Sequence, residues 1–387
     1  MTVLAVRHTT PAFRTYSGEN ALDLLSKELD RPSPHRVMLV CGASMLAHDE
    51  ALRRVESAIG ERLVARFSEV REHSPLPSVE KARDVLIDSG STAVVALGGG
   101  SAVVTARAAV ILAGEKGDAR DLCTRRADDG RMISPRLSAP KVPMWVVPST
   151  PTTAYAKAGA AVRDPATGER LALFDPKARA AGVVFDPAVA MTAPAPLIRS
   201  SSLNALALAV DGMQSTGGNP LAEALLGHAL TVLTTWLGRI GDRPDAETAV
   251  QLMFGALLAG QGSDHAGTGL AQALSHAVGP RSTVGNGVVE ALLLPHTMRF
   301  NLGVTDEALT RIARLLGERG ADSPADAITA IEAVLASARI PLRLRDVGIA
   351  QADLPDIVEH TLHDWAVTAV PRPADRDGLR SILDQAW

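Results

Sequence analysis

Two short segments carry the residue types that hold a phosphate. Leu97-Gly98-Gly99-Gly100-Ser101 follows an apolar, β-branched run and precedes a helical pattern. That is where a strand-to-helix turn delivers backbone amides to an anion. Glycine lets the main chain approach a ligand and take up positive φ, and the helix N-terminus adds a partial positive charge. Ser101 reads as the N-cap or as a hydroxyl donor to phosphate. The pattern is neither G-x-G-x-x-G nor a Walker loop, since no Gly-Lys-Ser/Thr follows; taken alone it serves equally well as a structural turn. Pro148-Ser149-Thr150-Pro151-Thr152-Thr153 is a second hydroxyl-rich loop after another apolar run, with a rigid Pro/Thr turn as its plainer reading. Ligands of open α/β sheets bind beyond the carboxyl ends of the strands, so the two loops together predict a dinucleotide site.

The elements that must position these loops are legible as alternating patterns. Residues 36–41, 63–67, 92–97, 144–147 and 182–186 read as buried strands, and 47–59, 78–89 and 102–113 as helices, the second begun by a Pro77-Ser78 cap with Glu80 in its first turn. Strands separated by helices of this length predict a parallel sheet with right-handed crossovers. Residues 114–143 read as a long polar loop, and 159–163 and 170–174 as a hairpin around the turn 164–168. From 188 onward, Ala/Leu-rich segments at helical period fill the chain without a convincing strand. The expected fold is therefore an α/β domain over 1–187 followed by an all-helical domain over 188–387.

Composition narrows the function. The 387 residues are 46% hydrophobic and 21% charged with a net charge of −4, a globular balance that offers no general field for nucleic acid. Four Trp, two Tyr and six Phe are too few for base-stacking platforms. Cys41 and Cys123 form no CxxC and lie far apart, which excludes a disulfide framework and a thiolate zinc site and fits a reducing cytoplasm. No targeting segment or membrane-length apolar run is read. The expected partner is a small molecule, with no nucleic acid, no membrane and a homodimer allowed.

Nine segments sharpen this picture by their order: His73-Ser-Pro-Leu-Pro77, Ala96-Leu-Gly-Gly-Gly-Ser101, Val147-Pro-Ser-Thr150, Phe185-Asp-Pro187, Leu203-Asn-Ala-Leu-Ala207, residues 269–279, residues 294–301, Pro371-Arg-Pro373 and Ala386-Trp387. Together they resemble the iron-containing alcohol dehydrogenase family, most of all its maleylacetate reductase branch. The resemblance implies a dinucleotide-binding domain, a helical domain and a cleft between them. It places Gly98, Gly99, Gly100 and Ser101 at a pyrophosphate, and Ser149, Thr150 and Thr153 along the cofactor. Val104 and Arg107 stand where the family has an acid and a lysine, and Gly42 where many members have the acid that binds the ribose 2′-OH, so NAD and NADP both stay open.

Metal-using members of that family hold Fe²⁺ or Zn²⁺ with an Asp, a His four residues on, and two further His. Asn204, Leu208, Gln272 and Asn286 fall in those slots. Neutral amides are poor ligands for such ions and leucine is none, so no catalytic metal is expected. An amide N–H still serves as a preorganised donor to a developing oxyanion. His276, one turn after Gln272, is placed to act as general acid, against a reading as a helix-packing histidine. His265 is a candidate at the cleft mouth; His296 reads as buried and structural, and His360 and His363 as a solvated helix end. Tyr155, Lys157 and Arg281 are candidates for a substrate carboxylate, against a solvated-surface reading.

The expected function is a metal-independent NAD(P)H-dependent reductase of a carbonyl or activated alkene, such as a maleylacetate-like oxo acid, with Asn204, Gln272, Asn286 and His276 as catalytic residues. Conjugate reduction fits because its charge spreads into an enolate and needs less Lewis acidity. The alternative is a non-redox cyclase or isomerase, or a cofactor-binding pseudoenzyme, on the same fold.

Overall fold

The computed structural model of the protein describes residues 6, 8–127, 132–168, 170–317 and 320–387. The strands in chain order are β1 (Arg14–Ser17), β2 (Val37–Gly42), β3 (Leu63–Val70), β4 (Ala93–Gly98), β5 (Arg125–Arg126), β6 (Met132–Ile133), β7 (Met144–Pro148), β8 (Gly159–Arg163), β9 (Arg170–Phe174) and β10 (Gly182–Phe185). Six of them form one parallel sheet in the order β1-β10-β7-β4-β2-β3, while β5-β6 and β8-β9 are separate antiparallel pairs. Every expected strand is present. β1 was not expected: its sequence, RTYS, sits on an edge with mostly exposed residues and shows no apolar alternation. The central strands β4 and β7 are buried at every residue, which is why both read as unbroken apolar runs.

Helices α1 (Ala21–Glu28), α2 (Ala43–Leu46), α3 (Asp49–Ile59), α4 (Leu76–Asp88) and α5 (Gly100–Gly114) complete the α/β half. Alternate residues of β4 serve opposite faces. Val94 and Ala96 join the cluster with α4 and α5, whereas Ala93, Val95 and Leu97 pack with α1 and α3. Burying Val94, Val95 and Leu97 contributes about 1.5–3 kcal/mol each. Two expected caps are corrected. α4 starts two residues before Ser78, whose hydroxyl instead donates to the Glu69 carbonyl at 2.8 Å. Gly99, not Ser101, occupies the N-cap position of α5, and no side chain caps it; Ser101 lies inside the first turn.

Residues 128–131 of the expected long loop, and residues 1–5 and 7 of the stretch read for a targeting signal, lie outside the described residues. The described part of that loop carries only the two-residue strands β5 and β6.

Beyond Phe185 no described residue is in a strand. The chain continues as α6 (Pro187–Ala190), α7 (Ala195–Gln214), α8 (Pro220–Leu237), α9 (Ala246–Ala266), α10 (Leu270–Val278), α11 (Asn286–Phe300), α12 (Asp306–Leu316), α13 (Pro324–Ser337), α14 (Leu354–His363) and α15 (Arg376–Ala386). Helix starts follow local chemistry. Asn219 accepts from the amides of Leu221 and Ala222 ahead of α8, and Asp245 accepts from Thr248 ahead of α9. One apolar cluster runs from the sheet through Phe185 into Leu203, Leu206, Leu230 and Met253, so the sheet and the helices share a core. At the junction the fully buried Asp186 accepts from the Val189 amide and pairs with Arg54 at 2.7 Å.

Candidate active site

β4 ends at Gly98, whose φ of +134° is reserved for glycine. The chain then enters α5 beside the loop after β7. The Ser149 amide donates to the Gly98 carbonyl at 3.0 Å, and a Cβ on Gly99 would stand 3.1 Å from Thr150 Oγ1. The glycine and hydroxyl loops are thus in contact at the carboxyl edge of the sheet, with Ser149, Thr150 and Thr153 buried. Gly100 and Thr153 also line a cavity of about 520 Å³ between the sheet edge and the helices.

The helical residues converge on the same space. Asn204 and Leu208 reach it from α7, Gln272 and His276 from α10, and Asn286 from the start of α11. Asn204 Nδ2 donates to Glu290 Oε2, and Asn286 Nδ2 to Ser275 Oγ at 3.2 Å. His276 Nδ1 lies 2.8 Å from Asp364 Oδ2, and the Trp365 ring packs 5.9 Å from the imidazole. Gln272 Oε1, Thr268 Oγ1 and Glu290 Oε1 are buried without a hydrogen-bond partner. Buried polar atoms are ordinarily paired, so orphans on cavity-lining Gln272 and Thr268 mark a place for a ligand.

Burial dominates the electrostatics. It raises Glu290 to about 8, helped by the nearby Asp211, and raises Asp211 to about 7 against the amides of Gln272, Ala271 and Gly269. Desolvation lowers His276, and Arg170 adds to this while Asp364 opposes it. It also lowers Lys157, despite Asp264 and Glu290.

Other candidates sort by position. Lys157 lines the cavity and Arg170 stands exposed on its wall. Tyr155 is buried; its hydroxyl accepts from the Thr152 amide and donates to the Met253 carbonyl, so it shapes the loop and is no carboxylate ligand. Arg281 pairs with Asp356 outside the cavity. His265 packs tilted against His8, ring centroids 3.9 Å apart, in a different cavity. His296 sits within α11 with Nδ1 unpartnered and burial holding it at about 4, and His360 and His363 bond the carbonyls four residues back at the end of α14. Arg107 is fully buried and donates to the carbonyls of Ala154, Gly159 and Ala178.

Sequence reasoning passed over Glu290, Asp211 and Asp364. The first two had a signal, a lone acid inside an otherwise apolar helical run. Asp364, 88 residues from His276, had none.

Two models of known families match in sequence order: iron-containing alcohol dehydrogenase over residues 11–187, and the C-terminal part of the Fe-containing alcohol dehydrogenase family over residues 198–387. The chain belongs to the iron-containing alcohol dehydrogenase family. Its similar proteins include maleylacetate reductase 1 of Cupriavidus pinatubonensis, 26% identical over 97% of this chain and 95% of that one. Lactaldehyde reductase of Escherichia coli is 27% identical over 96% and 97%. Among solved structures, the alcohol dehydrogenase from Oenococcus oeni superposes with a TM-score of 0.90 at 19% identity, over 99% of this chain and 100% of that one. The sulfoacetaldehyde reductase from Bifidobacterium kashiwanohense in complex with NAD⁺ gives 0.86 at 15% over 99% of each. As a member of the iron-containing alcohol dehydrogenase family, the chain is an oxidoreductase.

The family's name implies a metal, and the donor chemistry here does not suit one. The four slots hold the amides of Asn204, Gln272 and Asn286 and the hydrocarbon of Leu208, where a first-row divalent ion takes imidazole or carboxylate, and the cavity's His276 and Asp264 are bonded to Asp364 and Arg179. Among the described residues no three His, Cys, Asp or Glu side chains gather as a metal-binding group. The dinucleotide fares better, because the glycine turn, the first turn of α5 and the buried hydroxyls of Ser149, Thr150 and Thr153 make a cradle for a pyrophosphate and ribose.

Proposed function

We propose that this protein is an NAD(P)H-linked reductase of a carbonyl or activated alkene that works without a bound metal. The observation that carries the reading is the convergence, in one cavity abutting the glycine turn, of three amide side chains and a histidine oriented by a carboxylate. Gly98, Gly99, Gly100 and Ser101 with the α5 N-terminus would hold the pyrophosphate, and Ser149, Thr150 and Thr153 would line the cofactor. When bound, the reduced nicotinamide supplies the hydride. No acid stands at Gly42, at the end of β2, so either ribose form is admitted.

The chain's own residues then supply polarity and a proton. Asn204, Gln272 and Asn286 hold the substrate oxygen, and preorganised dipoles in a partly desolvated site are worth more than in bulk. His276 gives the proton. Its Nδ1 is committed to Asp364, which leaves Nε2 for the substrate and fixes the ring. Domains over 1–187 and 188–387, meeting at this cavity, fit the same reading.

The full replacement of the ligand slots keeps a second reading in view, a non-redox enzyme or cofactor-binding pseudoenzyme. Titration with NADH and NADPH, followed through tryptophan fluorescence with Trp365 on the cavity wall, separates the reductase from a non-redox enzyme without the cofactor, and turnover of the bound nucleotide with an added carbonyl compound separates it from a pseudoenzyme. Saturable quenching by either nucleotide is expected. Absence of binding by both overturns the reductase and the cofactor-binding pseudoenzyme alike and leaves a non-redox enzyme.

A further inference from the structure

The cavity presents His276 as a base. Asp364 is anchored through both oxygens, Oδ1 accepting from the Ala366 amide at 2.8 Å and Oδ2 facing His276 Nδ1 at 2.8 Å. A carboxylate only accepts, so Nδ1 carries the hydrogen and Nε2 of the neutral ring holds a lone pair. The side chain is 9% exposed, with the Trp365 ring against it. Desolvation first, and then the cations Arg170 on β9 and Lys157 ahead of β8, hold its pKa below the ordinary histidine value against the opposing Asp364. The other charged groups nearby are turned elsewhere: Asp211 of α7 to the α10 amides, Glu290 of α11 to Asn204, and Asp356, Glu359, His360 and His363 of α14 to Arg281, Arg376 or their own helix. Thr268, just ahead of α10, and Gln272 precede His276 at four-residue spacing, and all three line the cavity. Thr268 Oγ1 is buried without a partner. Residues four apart on a helix lie about 5–6 Å apart at Cβ, a span that a carbonyl oxygen and its neighbouring C–H bridge.

We propose that the resting protein, without any nucleotide, catalyses enolisation of a bound ketone, with His276 Nε2 as the base and the Gln272 carboxamide and Thr268 hydroxyl as donors to the oxygen. The Cα–H bond breaks and its proton passes to Nε2. The electron pair left behind forms the C=C bond while the carbonyl π pair moves to oxygen, where preorganised dipoles stabilise the developing charge. Return of a proton from Nε2 to the same carbon regenerates the ketone, so the cycle needs no co-reactant and exchanges the α-hydrogen with solvent. The inference shares with the reductase reading only the place where the carbonyl sits, and needs neither hydride nor nucleotide. Reduction draws on the charged imidazole and enolisation on the neutral one, so the two reactions follow opposite limbs of one titration.

The test follows deuterium incorporation by proton NMR in D₂O into hydroxyacetone, levulinate and cyclohexanone, with the full chain and no nucleotide. Wild type should exchange the α-hydrogens of at least one probe about 100-fold faster than His276→Ala does. The rate should rise with pH and level off above the His276 pKa, and added imidazole should restore part of it to the alanine variant. Asp364→Asn lets the ring take the other tautomer and should slow exchange as well. If His276→Ala loses its native circular dichroism, His276→Gln replaces it. No acceleration over buffer with any of the probes overturns the proposal, as does exchange that survives the loss of the imidazole or that falls as pH rises. Exchange in a protein that binds neither NADH nor NADPH upholds the enolisation and removes the reductase reading instead. Reduction by bound nucleotide with no exchange keeps the reductase reading and overturns the enolisation.

Discussion

The imidazole of His276 and the carboxylate of Asp364 meet at 2.8 Å across 88 residues of chain, joining α10 to the segment after α14. The bond holds the ring with Nε2 free for the cavity and opposes the desolvation that lowers the histidine's pKa. Asp364→Asn should therefore drive His276 further down, seen as a displaced titration of its ring protons by NMR. Reduction that draws its proton from the imidazolium should slow as pH rises through the His276 pKa, and the variant should bring that limb to lower pH. His276→Ala should cut turnover about 100-fold while leaving nucleotide binding intact. An unchanged rate would return His276 to a packing role.

Metal content follows from the donor set. Purified protein should carry substoichiometric iron and zinc by mass spectrometry, and chelator should leave nucleotide affinity unchanged. Restoring the family's ligands with Asn204→Asp, Leu208→His, Gln272→His and Asn286→His should create a site that takes up zinc. Tight stoichiometric metal in the wild-type protein would refute the metal-free site.

Arg107 is a structural prediction. Its buried guanidinium donates to three carbonyls, including Ala154 at 2.7 Å, and burial pulls its pKa down to about 10. Arg107→Met leaves those acceptors unpaired and should cost about 3 kcal/mol or more by denaturant unfolding. Arg107→Lys should rescue little, because a single ammonium cannot reproduce the rigid fork. A variant as stable as wild type would mean that the carbonyls find water.

Glu290 sets a pH dependence. Its pKa is about 8 in the fold and about 4.3 when unfolded. Unfolding therefore releases a proton between those limits, and the contribution of this group is present in full below about pH 4 and lost as pH rises through about 8. Glu290→Gln removes that loss. The melting temperature of the variant minus that of wild type should grow from pH 5 to pH 8 and then level off, measured by circular dichroism. A difference that is flat or shrinks over that range contradicts a buried, proton-holding Glu290.

Much of this molecule was legible in order and pattern. The runs at 92–97 and 144–147 became the central buried strands because continuous apolar β-branched sequence suits a sheet covered on both faces. The glycine turn lies where strand and helix signals placed it, and Gln272 and His276 share one face of α10 because they are one turn apart, whereas Asn204 on α7 and Asn286 on α11 reach the same cavity through helix packing. The edge strand β1 escaped notice for lack of any alternation.

The sequence by itself determined the element types, the amide-for-ligand replacements and the family resemblance, since each is a local pattern or a matter of residue identity. Only the tertiary structure decided which charges meet. Asp364 beside His276, Glu290 beneath Asn204 and Arg107 under the Lys157 loop all join segments distant in the chain. Burial and proximity set the protonation of such groups, and neither exists until the sheet and the helices close over a common core.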